Sequence, residues 1–161
     1  MPEQYAVAIE TAFGAALQNI VTDSEGDAKR AIQFLKETKG GRATFLPLSA
    51  VRGRMLEERG LAQCDGFVAV ASDLVKCDAT YEAVVKAQVG RTAVAEDMDC
   101  AIAIARKFSY RFRIVTLDGQ IINAGGSMTG GSRMQNAGFL SRSNEIETVS
   151  YTHLTLPTTS R

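Results

Sequence analysis

The segment Gly125-Gly126-Ser127-Met128-Thr129-Gly130-Gly131-Ser132 carries the G-x4-G-x-[ST] spacing of a phosphate-binding loop and follows a strand-like run from Gln120 to Asn123. In such a loop, main-chain N–H groups cradle phosphates while a lysine just before the Ser/Thr neutralises them. Gly131 stands where that lysine belongs, and no acidic strand end offers itself as a magnesium ligand. A nucleotide or small-molecule site built on this loop is therefore kept only as an alternative. Two other readings fit the same residues. Four glycines around Ser127, Met128 and Thr129 can form a flexible link, or they can let an edge strand lie against another main chain, including that of a second subunit. Composition does not choose between these two.

Other reactive side chains are sparse. His153 is the only histidine, so a Ser-His-Asp triad, a Cys-His pair and a histidine-ligated zinc would all have to use it. Cys64, Cys77 and Cys100 are odd in number and widely spaced, which excludes a disulfide framework and a short metal-ligand pair and suits a reducing compartment. Cys64 has no activating cation beside it, and the three thiols read as small buried apolar groups. Asp97 and Asp99, two apart, do not share a helix face and fit the start of a helix better than an acid/base pair. Glu57 and Glu58 interrupt Arg52, Arg54 and Arg59, a mixed cluster read as solvated surface. No catalytic residue and no metal site is expected.

Charge is balanced, with 18 basic and 18 acidic residues, so attraction to a polyanion has to come from local clustering. Between Ala101 and Ser143 the basic residues are Arg106, Lys107, Arg111, Arg113, Arg133 and Arg142, against Asp118 alone, a local excess of +5. A stripe of this kind is an electrostatic footprint for nucleic acid. No aromatic-rich stacking platform accompanies it, so recognition of bases is not expected. The bland alternative is that Arg106 and Lys107 only complement a helix C-terminus.

These residues need a scaffold, and the patterning supplies one. Pro2 and Glu3 open a helix with Tyr5, Ala8, Ile9, Ala12 and Phe13 on one face, ended by Gly14. Leu17 to Thr22 reads as a strand. Asp23 or Ser24 caps a helix with an Ala28, Ile32, Leu35 stripe that stops at Gly40-Gly41. Ala43 to Leu48 is a strand, 49–66 a polar loop with a helical turn or two, and Phe67 to Ala71 a buried strand. A helix over Tyr81 to Gln88, a strand over Thr92 to Ala95 and a helix over Asp97 to Phe108 follow. Arg111 to Leu117 and Gln120 to Asn123 flank Asp118-Gly119, which predicts a hairpin with a two-residue type I′ turn. The order predicts a mixed α/β (α+β) domain with helices packed on a small mixed sheet. Apolar residues form 45% of the 161, enough for one core and little more. The sequence shows no membrane span and no secretory signal.

Three stretches, in order, resemble one family. Tyr110-Arg-Phe-Arg-Ile-Val-Thr-Leu-Asp-Gly-Gln-Ile-Ile-Asn-Ala-Gly-Gly-Ser-Met-Thr-Gly-Gly131 resembles the signature end of the hinge domain of SMC (structural maintenance of chromosomes) proteins in its bacterial form. Tyr5 to Val21 is similar to the early hinge helix and strand, and Gly41-Arg-Ala-Thr-Phe-Leu-Pro-Leu48 to the hinge's central strand. Together they span about residues 3 to 145.

The resemblance implies a homodimer of hinges joining two antiparallel coiled-coil arms of a chromosome-organising ATPase. It also implies contact with DNA without sequence specificity, a cytoplasmic, nucleoid-associated location, and kleisin-type subunits bound by separate heads that carry the ATP and magnesium. By position it places Gly125, Gly126, Ser127, Met128, Thr129, Gly130 and Gly131 at the dimer interface. On this reading residues 1–131 are a hinge lacking its front, 132–149 begin a coiled-coil helix, and 150–161, threonine-rich around His153, form a non-native tail. The basic stripe then serves DNA, and if about five of its charges meet phosphates, log affinity should fall with log salt at a slope of about −4 to −5 per subunit.

Overall fold

The computed structural model describes residues 2–132, so Arg133, Arg142 and the segments expected to be a coiled-coil helix (132–149, all but its first residue) and a non-native tail (150–161) lie outside the described residues. Within them, a five-stranded sheet runs in the order β3 (Phe67–Val70), β4 (Thr92–Ala95), β5 (Arg113–Thr116), β6 (Ile121–Ile122), β7 (Met128–Thr129). Strands β4 and β5 are parallel; every other neighbouring pair is antiparallel. The sheet is mixed, as the patterning predicts.

Alternation along the strands sorts the core into two halves. Ala93, Ala95, Ile114 and Ile122 face one side, where they meet Ala101, Ile104 and Ala105 of α4 (Met98–Lys107) and Phe108 just past its end. Val94, Val115 and Ile121 face the other, against Ala8, Ile9 and Ala12 of α1 (Ala6–Phe13) and Val85 and Val89 of α3 (Glu82–Val89). Strand β4 is therefore buried at all four positions. The strand expected to be buried, Phe67 to Ala71, is instead the edge strand β3, half-buried at Phe67, Val68 and Ala69. Helix α4 also supplies the crossover that a parallel β4–β5 pair requires. Its ends follow simple electrostatics: Asp97 caps it by accepting the Cys100 N–H at 2.8 Å, and Arg106 and Lys107 occupy the last turn.

A smaller unit precedes this body. Strands β1 (Ile20–Thr22) and β2 (Phe45–Pro47) pair in parallel and are bridged by α2 (Glu25–Thr38). Of the two residues proposed as its cap, Ser24 serves: its Oγ accepts the Asp27 N–H at 3.2 Å. The expected strand from Leu17 is shorter, because a 3-10 turn covers Gly14–Gln18 and only Ile20–Thr22 is extended. Ala15, Ala16 and Leu17 lack the β-branching that Ile20, Val21 and Thr22 bring to a strand. The α2 stripe is a second correction. Ala28 is buried, but Ile32 is 52% exposed and Phe34 64%, because two three-residue strands cannot cover more than one edge of the helix.

The hairpin at Asp118-Gly119 exists, but not with a type I′ turn. Val115 pairs with Ile121, and the Thr116 N–H donates to Gln120 O, leaving three residues, 117–119, in the loop. Only Gly119 has positive φ (90°), and its N–H donates to Thr116 O at 3.0 Å, the geometry of a type I turn closed by a glycine bulge. The Thr116 hydroxyl decides between the two: it is fully buried, contacts Asp118 Oδ1 and accepts the Gln120 N–H at 2.9 Å, which fixes Asp118 in the turn.

Ile104→Ala, emptying the centre of the α4 face, should cost about 2–5 kcal/mol of unfolding free energy. Ile32→Ala on the uncovered α2 face should change it by less than about 0.5 kcal/mol. Urea unfolding of the two variants compares them directly.

Candidate functional site

The glycine segment folds as a second hairpin rather than as a link. Strand β7 pairs antiparallel with β6, Ile121 opposite Thr129 and Ile122 opposite Met128. The turn uses the two glycines: the Gly126 N–H donates to Asn123 O at 2.9 Å with φ of 92° at Gly125 and 109° at Gly126, values that a residue with a Cβ adopts only under strain. Asn123 closes it, its main-chain N–H on Ser127 O at 2.7 Å and its Nδ2 within reach of the Ser127 and Thr129 hydroxyls. Because Asn123 and Ser127 form a hydrogen-bonded pair, ladder alternation directs the main-chain groups of 127, 129 and 131 inward and those of Met128 and Gly130 outward. Met128 is 52% exposed, and 127–131 all lie at the surface on the outer rim of the sheet.

Three residues that the sequence reading did not single out position this hairpin. Gln120 lies opposite Gly130 in the β6–β7 register, and its carboxamide grips the next residue: Oε1 accepts the Gly131 N–H at 2.8 Å and Nε2 donates to Gly131 O at 3.2 Å. Tyr110 holds the turn from behind, its carbonyl accepting the Gly125 N–H at 2.8 Å and its ring 3.8 Å from where a Gly126 Cβ would sit. Ser109 and Tyr110 both have left-handed backbone (φ 58° and 56°), and their N–H groups donate to Arg106 O and Ala105 O. That is a Schellman stop made without glycine. Register could have revealed Gln120. No sequence signal marks Ser109-Tyr110 as such a stop, since both side chains disfavour it.

This geometry overturns the phosphate-loop alternative. The N–H groups of Gly125, Gly126 and Gly131, which would have to point at an anion, already donate to Tyr110, Asn123 and Gln120. The segment is strand–turn–strand, whereas a phosphate loop leads from strand to helix.

The basic stripe is not one face. Arg113 is half-buried, its guanidinium donating to Thr11 O at 3.2 Å and to Ala12 O at the C-terminus of α1. Burial disfavours its cation and moves its pKa down, yet the helix dipole and the two carbonyls favour the charge. Its place in a DNA-contacting patch is therefore corrected: Arg113 fastens α1 to β5. Arg111 is exposed but bonded to Glu58 Oε1 at 2.6 Å, tying the 49–66 loop to the α4–β5 connection. Arg106 and Lys107 are exposed, with Lys107 Nζ 5.7 Å from the Phe108 ring centre.

The remaining candidates do structural work. Asp97 caps α4 from just outside the helix rather than from its first turn, and hydrogen bonds from the main-chain N–H of Cys100 hold its carboxyl below the ordinary aspartate range. The expected burial of the three thiols is not found: Cys64 and Cys100 are half-buried and Cys77 is exposed. The Cys100 thiol is pushed up, first by its hydrogen bond with Asp97 and then by desolvation, and that of Cys77 by partial desolvation and by Glu82 and Asp78. Both shifts oppose formation of a nucleophilic thiolate. Among the described residues no cluster of three or more His, Cys, Asp and Glu is arranged to hold a metal, and no helix is long and apolar enough to cross a membrane.

Comparison with known proteins bears out the resemblance. The model of the SMC proteins flexible hinge domain matches residues 1–105. The chromosome partition protein Smc of Bacillus subtilis is 45% identical over 151 residues, covering 91% of this chain and 13% of that protein. The chain thus spans about an eighth of the curated relative's length. An asymmetric dimer of the Geobacillus stearothermophilus SMC hinge domain superposes with a TM-score of 0.85 at 43% identity, over 96% of this chain and 63% of that one. The Pyrococcus furiosus SMC hinge domain gives 0.68 at 32% identity, over 86% and 71%.

The Asp97 cap has a pH signature. A carboxyl whose folded pKa lies below its unfolded value of about 3.9 stabilises the fold above that value and loses the contribution as pH falls through the folded pKa. Thermal melts between pH 7 and pH 2.5 should show Asp97→Asn less stable than the parent at neutral pH, the gap closing in acid. A gap constant over that range would rule out the cap's charge as its cause.

Proposed function

The chain belongs to the SMC flexible hinge domain family, and on that premise we propose that it is the dimerisation module of a chromosome partition Smc ATPase, joining two coiled-coil arms. The observation that carries this reading is the rim of β7. It is a solvent-exposed strand edge, continued by the side-chain-bare Gly130 and Gly131, and among the described residues no strand pairs with the outward main-chain groups of Met128 and Gly130. Unpaired edges of this kind template pairing with another chain. The solved Geobacillus stearothermophilus relative is a dimer, which supports the same reading.

Residues Gly125, Gly126, Ser127, Met128, Thr129, Gly130 and Gly131 are the proposed interface. ATP, magnesium and kleisin-type subunits belong, on this proposal, to head domains outside these 161 residues, in a cytoplasmic, nucleoid-associated protein. DNA contact without sequence specificity is the second part of the proposal. It rests on Arg106 and Lys107, joined by Arg111 when Glu58 releases it, with Arg133 and Arg142 as further contributors from the sequence.

Met128→Pro tests the edge. Proline removes the outward N–H but leaves the inward bonds of 127 and 129, a position where edge strands accept it. Sedimentation equilibrium should show the dimer dissociation constant raised about tenfold or more, near 1.4 kcal/mol, with the melting temperature of the monomer little changed. A Met128→Pro chain that dimerises like the parent refutes pairing through this edge. For DNA, replacing Arg106 and Lys107 with Gln should lessen the slope of log affinity against log salt by about 2 per subunit. Arg113→Gln should leave that slope unchanged while destabilising the fold by about 1–2 kcal/mol.

A further inference from the structure

We infer that Gln120 is a positioning residue for the pairing edge: its carboxamide replaces a missing main-chain partner and holds the end of β7 in the plane of the sheet. The inference rests on the dimer reading above and adds a residue outside the glycine segment.

The register makes the case. Position 131 falls opposite position 119 when the β6–β7 pairing is continued, but Gly119 lies in the preceding turn and its N–H is already donated to Thr116 O. The chain continuing from β7 thus runs past its neighbour, with Gly131, at a bend two residues beyond Thr129, in an inward-facing position that nothing opposes. The Gly131 N–H and C=O would be left without a partner, and the strand end would splay. The Gln120 amide, one donor and one acceptor in a plane, reproduces what a peptide group would offer, with bonds of 2.8 Å and 3.2 Å to Gly131. A third contact, Nε2 to Asp118 O at 3.5 Å, orients the amide over the turn.

To reach Gly131 the side chain has to cross Gly130, and this is where the glycine matters. A Cβ at 130 would stand 2.0 Å from Gln120 Oε1. The backbone of Gly130 is not left-handed, so its conformation alone does not demand glycine. The demand comes from the neighbour: alanine there would displace the carboxamide and release Gly131. Gly130 and Gln120 therefore act as one device, and the outward main-chain groups of Met128 and Gly130 keep their spacing only while it is closed.

A double-mutant cycle on the full chain tests this. Gln120→Ala should raise the dimer dissociation constant about tenfold and speed amide hydrogen exchange at Gly131, while melting temperature moves little. Gly130→Ala should do the same in the parent and add little in the Gln120→Ala background. Additive effects of the two substitutions would mean that Gly130 meets the partner directly, and would overturn the coupling with Gln120. Unchanged exchange at Gly131 in Gln120→Ala would overturn the clamp. A parent chain that stays monomeric at high concentration sinks the pairing reading, and with it the interface role of Gln120. A dimeric parent whose Gln120→Ala variant dimerises equally well sinks the positioning role alone.

Discussion

Burial of β4 and β5 on both faces is the constraint from which the rest follows. Thr92 to Ala95 and Ile114 to Thr116 are sealed between α1 and α3 on one side and α4 on the other, and their apolar side chains leave no alternative to that three-layer arrangement. Once both faces of a sheet are covered by its own helices, a second chain can reach it only at an edge. Strand β7, flanked by glycines, is such an edge. The layer order that stabilises the domain thus also selects where it can associate. Arg113 reinforces the order by joining the C-terminus of α1 to β5 across an otherwise apolar contact.

The edge is held by polar contacts rather than by packing. Asn123, Gln120 and the Tyr110 carbonyl together engage the main chain of 125, 127 and 131, and none of these contacts is deeply buried. The left-handed pair Ser109-Tyr110 carries strain that glycine would relieve. The strain turns the chain sharply out of α4 and brings the Tyr110 carbonyl behind the glycine turn. Apart from Met128, small residues and hydrogen bonds make up this rim and leave it shallow enough for another main chain to approach.

Much of the scaffold was legible in the sequence because its signals were local. Helix α4 announced itself through charges at both ends, β3 through an unbroken apolar run, and the order of elements through punctuation by glycine and proline. What was not legible depended on register or on distant partners. The loop at 117–119 has three residues instead of two because the hydroxyl of Thr116, a residue that reads as ordinary strand, fixes Asp118. Arg113 could not be told from Arg111 by composition, although one lies against α1 and the other faces Glu58. The α2 stripe was read correctly as amphipathic, yet a small sheet leaves Ile32 uncovered. The glycine segment was recognised, but its strand–turn–strand form, which removes the phosphate-loop alternative, depends on which main-chain groups are already bonded.

The two three-residue loops, 117–119 and 124–126, work together as a reading frame for the rim. Each loop sets the parity with which the following strand presents its peptide groups, and Gln120 belongs to the first loop's exit while Gly131 depends on the second. One residue gained or lost in either loop would swap the even and odd positions of β7, sending the groups of 127, 129 and 131 to solvent and those of 128 and 130 into the sheet. Beside the glycines and Gln120, the count of residues between Thr116 and Thr129 is therefore fixed as well. Loop length is as strict a requirement on this part of the chain as the identity of its glycines.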